Sequence, residues 1–292
     1  IGGGPMYYRV YDWGGIQAYP NRLILGAGAA DGQVRLNLSG NHWGWQMGAL
    51  FKPHKIHQFG FYYRSPVVVG TSGLAKVERG VLGTNFETGA YANYNLPLNF
   101  TWAYAMKPTE RFALEFDFGY TRWSTFERLN IEHDSITGSP NDDTIINAIG
   151  RNTKDFRDSF SYHLGGHYQV SENLTLRAGS LYYTHAAPNS SYIPAISDGD
   201  RLAATLGLSC KINRNMVLDL AYLNLWNLPK HINNDVGAVL GISEDGSYRS
   251  YTQELTISFT YKWDHFLGDL KKLTRRPSDR VPSTVAADSA TA

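Results

Sequence analysis

The side chains of this 292-residue sequence that could do chemistry are few and widely spaced. His163 and His167 share one parity along the chain, as Glu115 and Asp117 do, so they could serve as metal ligands or as an acid and base pair of carboxylates. Such pairs also arise as hydrated residues on the polar face of a strand. No nucleophile and base at diagnostic spacing and no phosphate-binding loop accompanies them. The sequence predicts a protein that catalyses no reaction and holds no cofactor or metal.

Three arginines offer a different chemistry, the binding of an anion. Arg64, Arg177 and Arg201 each stand on the polar side of a segment whose other side is apolar. A guanidinium binds a carboxylate through two parallel hydrogen bonds, which makes these residues candidates for the charged head of an amphipathic substrate. The alternative is structural pairing with acidic residues of the same polar faces. Those residues are Glu115, Asp117, Asp219 and Glu254.

The composition narrows the class of protein. The formal net charge is +1, so no overall field favours a nucleic-acid or strongly acidic partner. The 19 Tyr, 7 Trp and 29 Gly suit strands, tight turns and the aromatic belts of membrane interfaces. Cys210 is the only cysteine, so no internal disulfide can form, and no apolar run is long enough for a membrane-spanning helix.

Strict alternation of apolar with small or polar residues is the main structural signal. It predicts strands over 43–51, 59–63, 98–106, 112–120, 160–170, 174–182, 202–212, 218–222 and 255–263. The apolar faces carry no charge, and many segments reach the roughly ten residues that a tilted strand needs to cross a bilayer. Strands of soluble sandwiches, the rival with the same alternation, usually have about five or six residues.

The connections between these strands alternate in length. Those over 53–56, 107–110, 171–172 and 213–215 are short, whereas those over 79–89, 133–156, 186–199 and 227–247 are long. Outer-membrane barrels have short periplasmic turns and long external loops, and a Greek-key sandwich has no reason to alternate in this way. The pattern therefore favours a transmembrane, antiparallel, up-and-down β-barrel.

Nine strands are an odd number, which indicates an incomplete barrel because single-chain bacterial barrels have even numbers. The expected organisation is an external loop region over 1–42, barrel strands over 43–263 and a disordered C-terminal tail over 264–292. Other functions compatible with these features are a general porin, a barrel enzyme or adhesin, and a soluble carbohydrate-binding sandwich.

Several blocks, in order, resemble the FadL/TodX family of outer-membrane transporters of long-chain fatty acids and hydrophobic compounds. The most specific is 173–179 (Asn-Leu-Thr-Leu-Arg-Ala-Gly). The others are 31–32 (Asp-Gly), 42–45 (His-Trp-Gly-Trp), 61–65 (Phe-Tyr-Tyr-Arg-Ser), 121–126 (Thr-Arg-Trp-Ser-Thr-Phe), 162–165 (Tyr-His-Leu-Gly), 198–201 (Asp-Gly-Asp-Arg) and 246–248 (Gly-Ser-Tyr). No single block is decisive, but their order over 31–263 makes the resemblance strong.

The resemblance implies an all-β fold with about nine of the family's fourteen barrel strands and without its N-terminal plug domain. It also implies passive uptake of long-chain fatty acids or other hydrophobic compounds across the bacterial outer membrane. Uptake of uncharged aromatic hydrocarbons by the same fold is the alternative, beside the general porin. The expected partners are such a ligand and outer-membrane lipid, with no nucleic acid, and the expected state is a monomer.

Overall fold

The computed structural model is antiparallel β-sheet over nearly all of the residues it describes, which are 1–19, 32–78, 85–134, 151–153, 155–192, 198–234 and 245–262. The strands are β1 (Gly2–Tyr19), β2 (Gly32–Phe51), β3 (His57–Arg64), β4 (Val67–Glu78), β5 (Phe86–Leu96), β6 (Asn99–Met106), β7 (Phe112–Thr121), β8 (Arg128–His133), β9 (Arg151–Thr153), β10 (Ser159–Gln169), β11 (Leu174–Tyr183), β12 (Arg201–Lys211), β13 (Met216–Ile232) and β14 (Gly246–Tyr261). Short 3-10 turns occupy Trp123–Thr125 and Asn189–Ser191. In the described part of the chain, no helix is both long and apolar enough to cross a membrane.

The strands follow one another up and down in a single sheet. Its order is β14, β13, β12, β11, β10, β7, β6, β3, β2, with β1 along the other side of β2. This sheet forms the wall of the barrel. Strands β4, β5, β8 and β9 extend it beyond β3, β6, β7 and β10, so these eight strands make four interrupted passes. With the six uninterrupted strands, the described chain makes ten passes along the wall. All nine predicted segments lie within or largely within strands, which confirms the barrel-type fold, but the predicted count of nine was wrong because β1 adds a tenth pass. Among the described residues the sheet is open, because β1 and β14 each have one unpaired edge.

The first 42 residues differ from the expectation of a loop. Gly2–Tyr19 forms β1, and β2 begins at Gly32, so only 20–31 between them lies outside the described residues. The prediction failed because β1 is rich in glycine and contains Pro5, which are poor strand signals. Pairing with β2 along nearly its whole length supplies the backbone hydrogen bonds instead, and proline is tolerated on an edge strand. The expected tail over 264–292 lies outside the described residues.

The strand register places large apolar side chains on one face of the wall. Leu176, Leu208, Leu220 and Ile257 stand opposite one another in a row across β11 to β14. Leu206, in the centre of β12, is 64% exposed on the same face. The opposite face, which we call the lumen face, carries polar and small residues. Register is strongly specified here, because a slip by one residue would exchange the two faces.

A line of interruptions, which we call the crease, crosses the wall. It separates β3 from β4 at Ser65 and Pro66, β5 from β6 at Pro97 and Leu98, β7 from β8 at 122–127 and, among the described residues, β9 from β10 at 155–158. At the first break, the backbone N–H of Ser65 donates to the carbonyl of Trp45, whose N–H donates to Ser65 Oγ, both at 2.9 Å. Proline cannot donate a ladder hydrogen bond, so two of the breaks coincide with proline.

Beyond the crease, the apolar face turns inward. Leu36 and Leu38 of β2 pack with Ala75 of β4 and with Ala90 and Ala92 of β5 in a buried cluster. On the outward side, Lys76 and Glu78 form an exposed ion pair at 2.9 Å.

The outward face of β2 changes from polar to apolar side chains along one unbroken strand. Arg35, Asn37 and Ser39 point outward beyond the crease, and Trp43 and Trp45 point outward on its other side. Trp43 is 67% exposed and Trp45 50% exposed. A polar outer surface suits water, and an apolar outer surface that begins with tryptophan suits the interface and core of a bilayer. This change along β2 predicts that the crease lies near the level where the wall leaves the membrane.

Aromatic rings fill the part of the crease near the 3-10 turn at Trp123–Thr125. Phe126 and Phe156 stack at 5.3 Å between ring centroids, and Trp123 meets Phe156 edge-on at 5.9 Å. Asp158 closes this turn by accepting hydrogen bonds from the Tyr120 hydroxyl (2.6 Å) and the Ser124 backbone N–H (3.0 Å). Partial burial alone would raise the pKa of Asp158, but these hydrogen bonds outweigh it and hold the pKa below its ordinary value.

Candidate functional site

A cavity of about 560 Å³, which we call the lumen pocket, lies against the lumen face of β7, β10, β11, β12 and β13. Its polar lining includes Glu115, Asp117, His163, His167 and Arg177. Leu181 and Leu223 lie beside them on the same face, so the pocket has both charged and apolar walls. The sequence predicted the charged residues of this face, whereas it did not single out Leu181 and Leu223.

Glycines form the floor of the lumen pocket. Gly165 and Gly179 are directly paired between β10 and β11, and the same row continues to Thr205 of β12. A Cβ atom on Gly179 would stand 2.9 Å from Thr205 Oγ1 and 3.2 Å from the carbonyl of Leu164, so a side chain at this position would press on the Thr205 side chain and on the backbone of β10. The absence of side chains at this pair leaves room for the longer side chains of the neighbouring rows.

The three candidate arginines have different surroundings. Arg177 is half exposed, with its guanidinium 3.6 Å from the carboxylate of Asp219. Arg201 lies 3.2 Å from Asp198 and 5.7 Å from the ring centroid of Tyr183. Arg177 therefore has one of the structural pairings named as the alternative to substrate binding, whereas Arg201 is paired with Asp198, which was not among the expected partners. Their binding role remains a prediction.

Arg64 is the exception, since it has no ion pair within the described part of the chain. In register, it faces Gln46 of β2 and Asn99 of β6, which are uncharged. The row continues to Thr121, whose hydroxyl accepts a hydrogen bond from Asn99 at 2.9 Å. As far as the described residues show, Arg64 therefore presents an unneutralised cation in a polar and otherwise uncharged row of the lumen face.

The carboxylates of the lumen pocket are less well partnered than Arg177 and Arg201. Neither Glu115 nor Asp117 forms an ion pair with any described residue. Asp117 stands directly opposite His163, yet its Oδ1 is shielded from solvent and has no hydrogen-bond partner there. Within the described residues, no three His, Cys, Asp or Glu side chains are grouped so that they could hold a metal ion.

A network that the sequence did not predict holds the long connection between β11 and β12. Asp198 Oδ2 accepts the backbone N–H groups of Ala186 (2.7 Å) and Ala187 (2.8 Å). Lys230 of β13 donates to the carbonyls of Ala187 (2.7 Å) and Asp198 (3.1 Å). The only sequence signal for it is the Asp-Gly-Asp-Arg block at 198–201, which does not by itself reveal these partners.

Asp200 completes this network. It accepts the backbone N–H of His185 at 2.9 Å and the ring nitrogen of His185 at 2.6 Å. Partial burial alone would raise the pKa of Asp200. The hydrogen bonds and charge of His185 and the hydroxyl of Tyr182 together lower the pKa by more than burial raises it, so it lies below its usual range. The carboxylate therefore stays charged at neutral pH and fixes the start of β12.

A larger groove of about 820 Å³ lies on the opposite, outward face of the same strands. Gly166 and Ala178 form its floor, and Leu164, Leu176 and Leu206 stand around it. Since this face belongs to the apolar band of the wall, the groove is where membrane hydrocarbon would lie. The lumen pocket has the polar groups that a binding site needs, so it is the better candidate despite its smaller volume.

An up-and-down antiparallel wall with an apolar outer band, an aromatic border and a polar lumen face defines part of an outer-membrane β-barrel. Residues 16–263 match the family described as "Outer membrane protein transport protein (OMPP1/FadL/TodX)", and the chain belongs to this family. The resemblance found in the sequence is thereby confirmed, as is the outer-membrane location.

Two curated relatives illustrate the match. A long-chain fatty acid transport protein of Escherichia coli O6:H1 (strain CFT073) is 28% identical over 219 residues, which cover 70% of this chain and 47% of that protein. A 47 kDa outer membrane protein of Pasteurella multocida (strain Pm70) is 28% identical over 221 residues, covering 70% of this chain and 49% of that protein. The chain thus spans about half the length of the curated relatives it matches.

Solved structures support the same fold. A Pseudomonas aeruginosa FadL homologue superposes with a TM-score of 0.62 at 20% identity, over 89% of this chain and 61% of that one. The Pseudomonas putida toluene transporter TodX gives a TM-score of 0.51 at 15% identity, over 85% of this chain and 58% of that one. At these identities the likeness establishes the architecture alone.

Proposed function

We propose that this chain forms part of a passive channel for the uptake of hydrophobic molecules, with long-chain fatty acids as the first candidates, across the outer membrane. The observation that carries the proposal is the family match over 16–263, together with relatives named as long-chain fatty acid transport proteins. Passage is driven by the ligand's own gradient, and no chemical step is part of the proposal. The expected partners are the ligand and outer-membrane lipid, and the expected state is a monomer.

The lumen face has the two kinds of group that an amphipathic ligand requires. Leu181 and Leu223 offer apolar contact, and Arg64 offers a cation without a competing acidic neighbour among the described residues. Because Arg177 and Arg201 are already paired with acidic residues, Arg64 is the strongest of the three candidates for binding a carboxylate. A guanidinium–carboxylate contact contributes about 1.5–3 kcal/mol.

The test compares dodecanoate with dodecanol in the full-length protein. Arg64→Gln should weaken dodecanoate binding about tenfold or more while leaving dodecanol binding nearly unchanged. Arg214→Gln, in the exposed turn between β12 and β13, is the matched control and should alter neither affinity. Titration calorimetry of the folded variants measures both constants.

Two results would contradict parts of this proposal. If the parent protein binds neither probe and passes different small polar solutes at rates equal to one another, it is a general porin instead. If it binds both probes and Arg64→Gln changes the two affinities equally, transport of hydrophobic molecules stands and the role of Arg64 is wrong.

A further inference from the structure

The charges around the lumen pocket do not suit a carboxylate ligand. Glu115 and Asp117 both line the pocket, and no described residue neutralises either of them. The one permanently charged cation in the lining, Arg177, shares its charge with Asp219 at 3.6 Å. A fatty-acid carboxylate in this pocket would therefore lie near two like charges and beside an arginine that is already engaged.

The hydrogen-bonding capacity of the pocket points in the same direction. Oδ1 of Asp117 is shielded from solvent and lacks a donor among the described residues. An ionised carboxyl group can only accept hydrogen bonds, so two carboxylates cannot satisfy each other, whereas a ligand hydroxyl can donate to Asp117. Asp117 lines the pocket and has no hydrogen-bond donor among the described residues, so a ligand that donates to the part of its carboxyl group facing the pocket gains an interaction that a carboxylate ligand cannot make.

The rest of the lining suits the apolar part of such a ligand. Leu181 stands in register with His163 on one side and Ala203 on the other. Leu223 stands opposite Thr205, next to the glycine floor. An alkyl chain could lie along this strip while its polar end reaches the row of Asp117.

We propose that the lumen pocket is a ligand subsite that selects an uncharged, hydroxyl-bearing amphiphile over a carboxylate, and that Asp117 is the residue that sets this preference. This deepens the proposed transport of hydrophobic molecules and rests on it. It assigns the pocket a role distinct from that of Arg64, which stands in a different row and favours the carboxylate.

The experiment measures the affinities of dodecanoate and dodecanol for the full-length protein carrying Asp117→Asn. This nearly isosteric change removes one repelling charge and adds an N–H donor. The ratio of dodecanoate affinity to dodecanol affinity should rise about three- to tenfold, the range expected for one partly screened charge near the ligand. Asp219→Asn is a second variant that should raise the same ratio, because it frees Arg177.

Glu172→Gln, in the exposed turn after β10, removes a carboxylate far along the strand from the pocket and should leave the ratio unchanged. Heat-modifiable gel mobility first confirms that each variant is folded. If the parent binds both probes and neither pocket variant moves the ratio, the selectivity of the pocket is wrong and transport remains supported. If the parent binds neither probe, the proposed function itself fails. A rise in Glu172→Gln equal to that in Asp117→Asn would also overturn the proposal, since it would reflect overall charge alone.

Discussion

Leu206→Arg is the sharpest test of which face of the wall meets lipid. Leu206 is the central residue of β12 (Arg201–Lys211), in register with Ala178 and Tyr222, and 64% exposed. Its mid-strand position places it near the middle of the bilayer, where an arginine on the lipid face costs about 2–4 kcal/mol. That cost corresponds to a thirty- to several-hundredfold lower folding equilibrium constant, by the rule of about 1.4 kcal/mol per factor of ten.

Two matched variants separate lipid exposure from other effects. Thr205→Arg places the same side chain on the lumen face, opposite Gly179, where the pocket of about 560 Å³ offers space and water. Leu74→Arg replaces another exposed leucine, 51% accessible, on the outward face of β4 beyond the crease. If the crease marks the membrane surface, Leu74 is in water and both controls should fold with small losses.

The assay is refolding of the full-length protein from denaturant into liposomes, with the folded fraction read from heat-modifiable mobility and the stability from a guanidinium titration. Leu206→Ala measures the loss of the leucine side chain alone. Equal stability of Leu206→Arg and Thr205→Arg would refute the assignment of faces. A loss for Leu74→Arg as large as that for Leu206→Arg would instead refute the position of the membrane surface.

Two further predictions concern the ends of the barrel. In intact cells, an impermeant maleimide should label Ser190→Cys in the long connection before β12 but not Thr109→Cys in the short turn before β7. The unsubstituted chain is the control for labelling of Cys210. The reverse labelling pattern would show that the topology is inverted. Asp200→Asn should increase hydrogen exchange of the backbone N–H of His185, which the carboxylate accepts at 2.9 Å. Folding lowers the pKa of Asp200, so the stability that this carboxylate contributes is present above its unfolded pKa near 3.9 and is lost as the pH falls through the lower folded pKa. Hydrogen exchange in the parent protein should therefore approach that of the variant only in acid. Equal exchange in the two proteins at neutral pH would exclude this role.

The sequence predicted the membrane-spanning wall well because one physical rule governs it. Lipid on one side and a polar lumen on the other force period-two alternation, and segments such as 202–212 and 112–120 obey it without exception. The loop predicted for 1–42 was wrong because β1 is specified by pairing with β2 and not by its own pattern. Partners distant in sequence, such as Lys230 and the carbonyl of Ala187, leave no local signal at all.

The candidate site shows the same division. Parity correctly placed Arg64, Arg177 and Arg201 away from the apolar face, but parity cannot say which of them is neutralised. Arg177 of β11 meets Asp219 of β13 diagonally across β12, from a row two residues away, so the contact depends on the register of three strands and is invisible in any one of them. Identifying an available cation therefore required the fold.

The inversion of faces at the crease explains why proline and irregular turns lie inside an otherwise continuous wall. A strand that runs from lipid into water must exchange an apolar outer face for a polar one, and an unbroken strand can do so only by changing its residues, as β2 does between Ser39 and Trp43. Strands β3 and β4 use the second solution. The break at Ser65 and Pro66 shifts the parity, so that Phe61 points outward below it while Val67 and Val69 are buried above it. Both solutions occur side by side on paired strands, which is what a single membrane surface crossing the wall at this level requires.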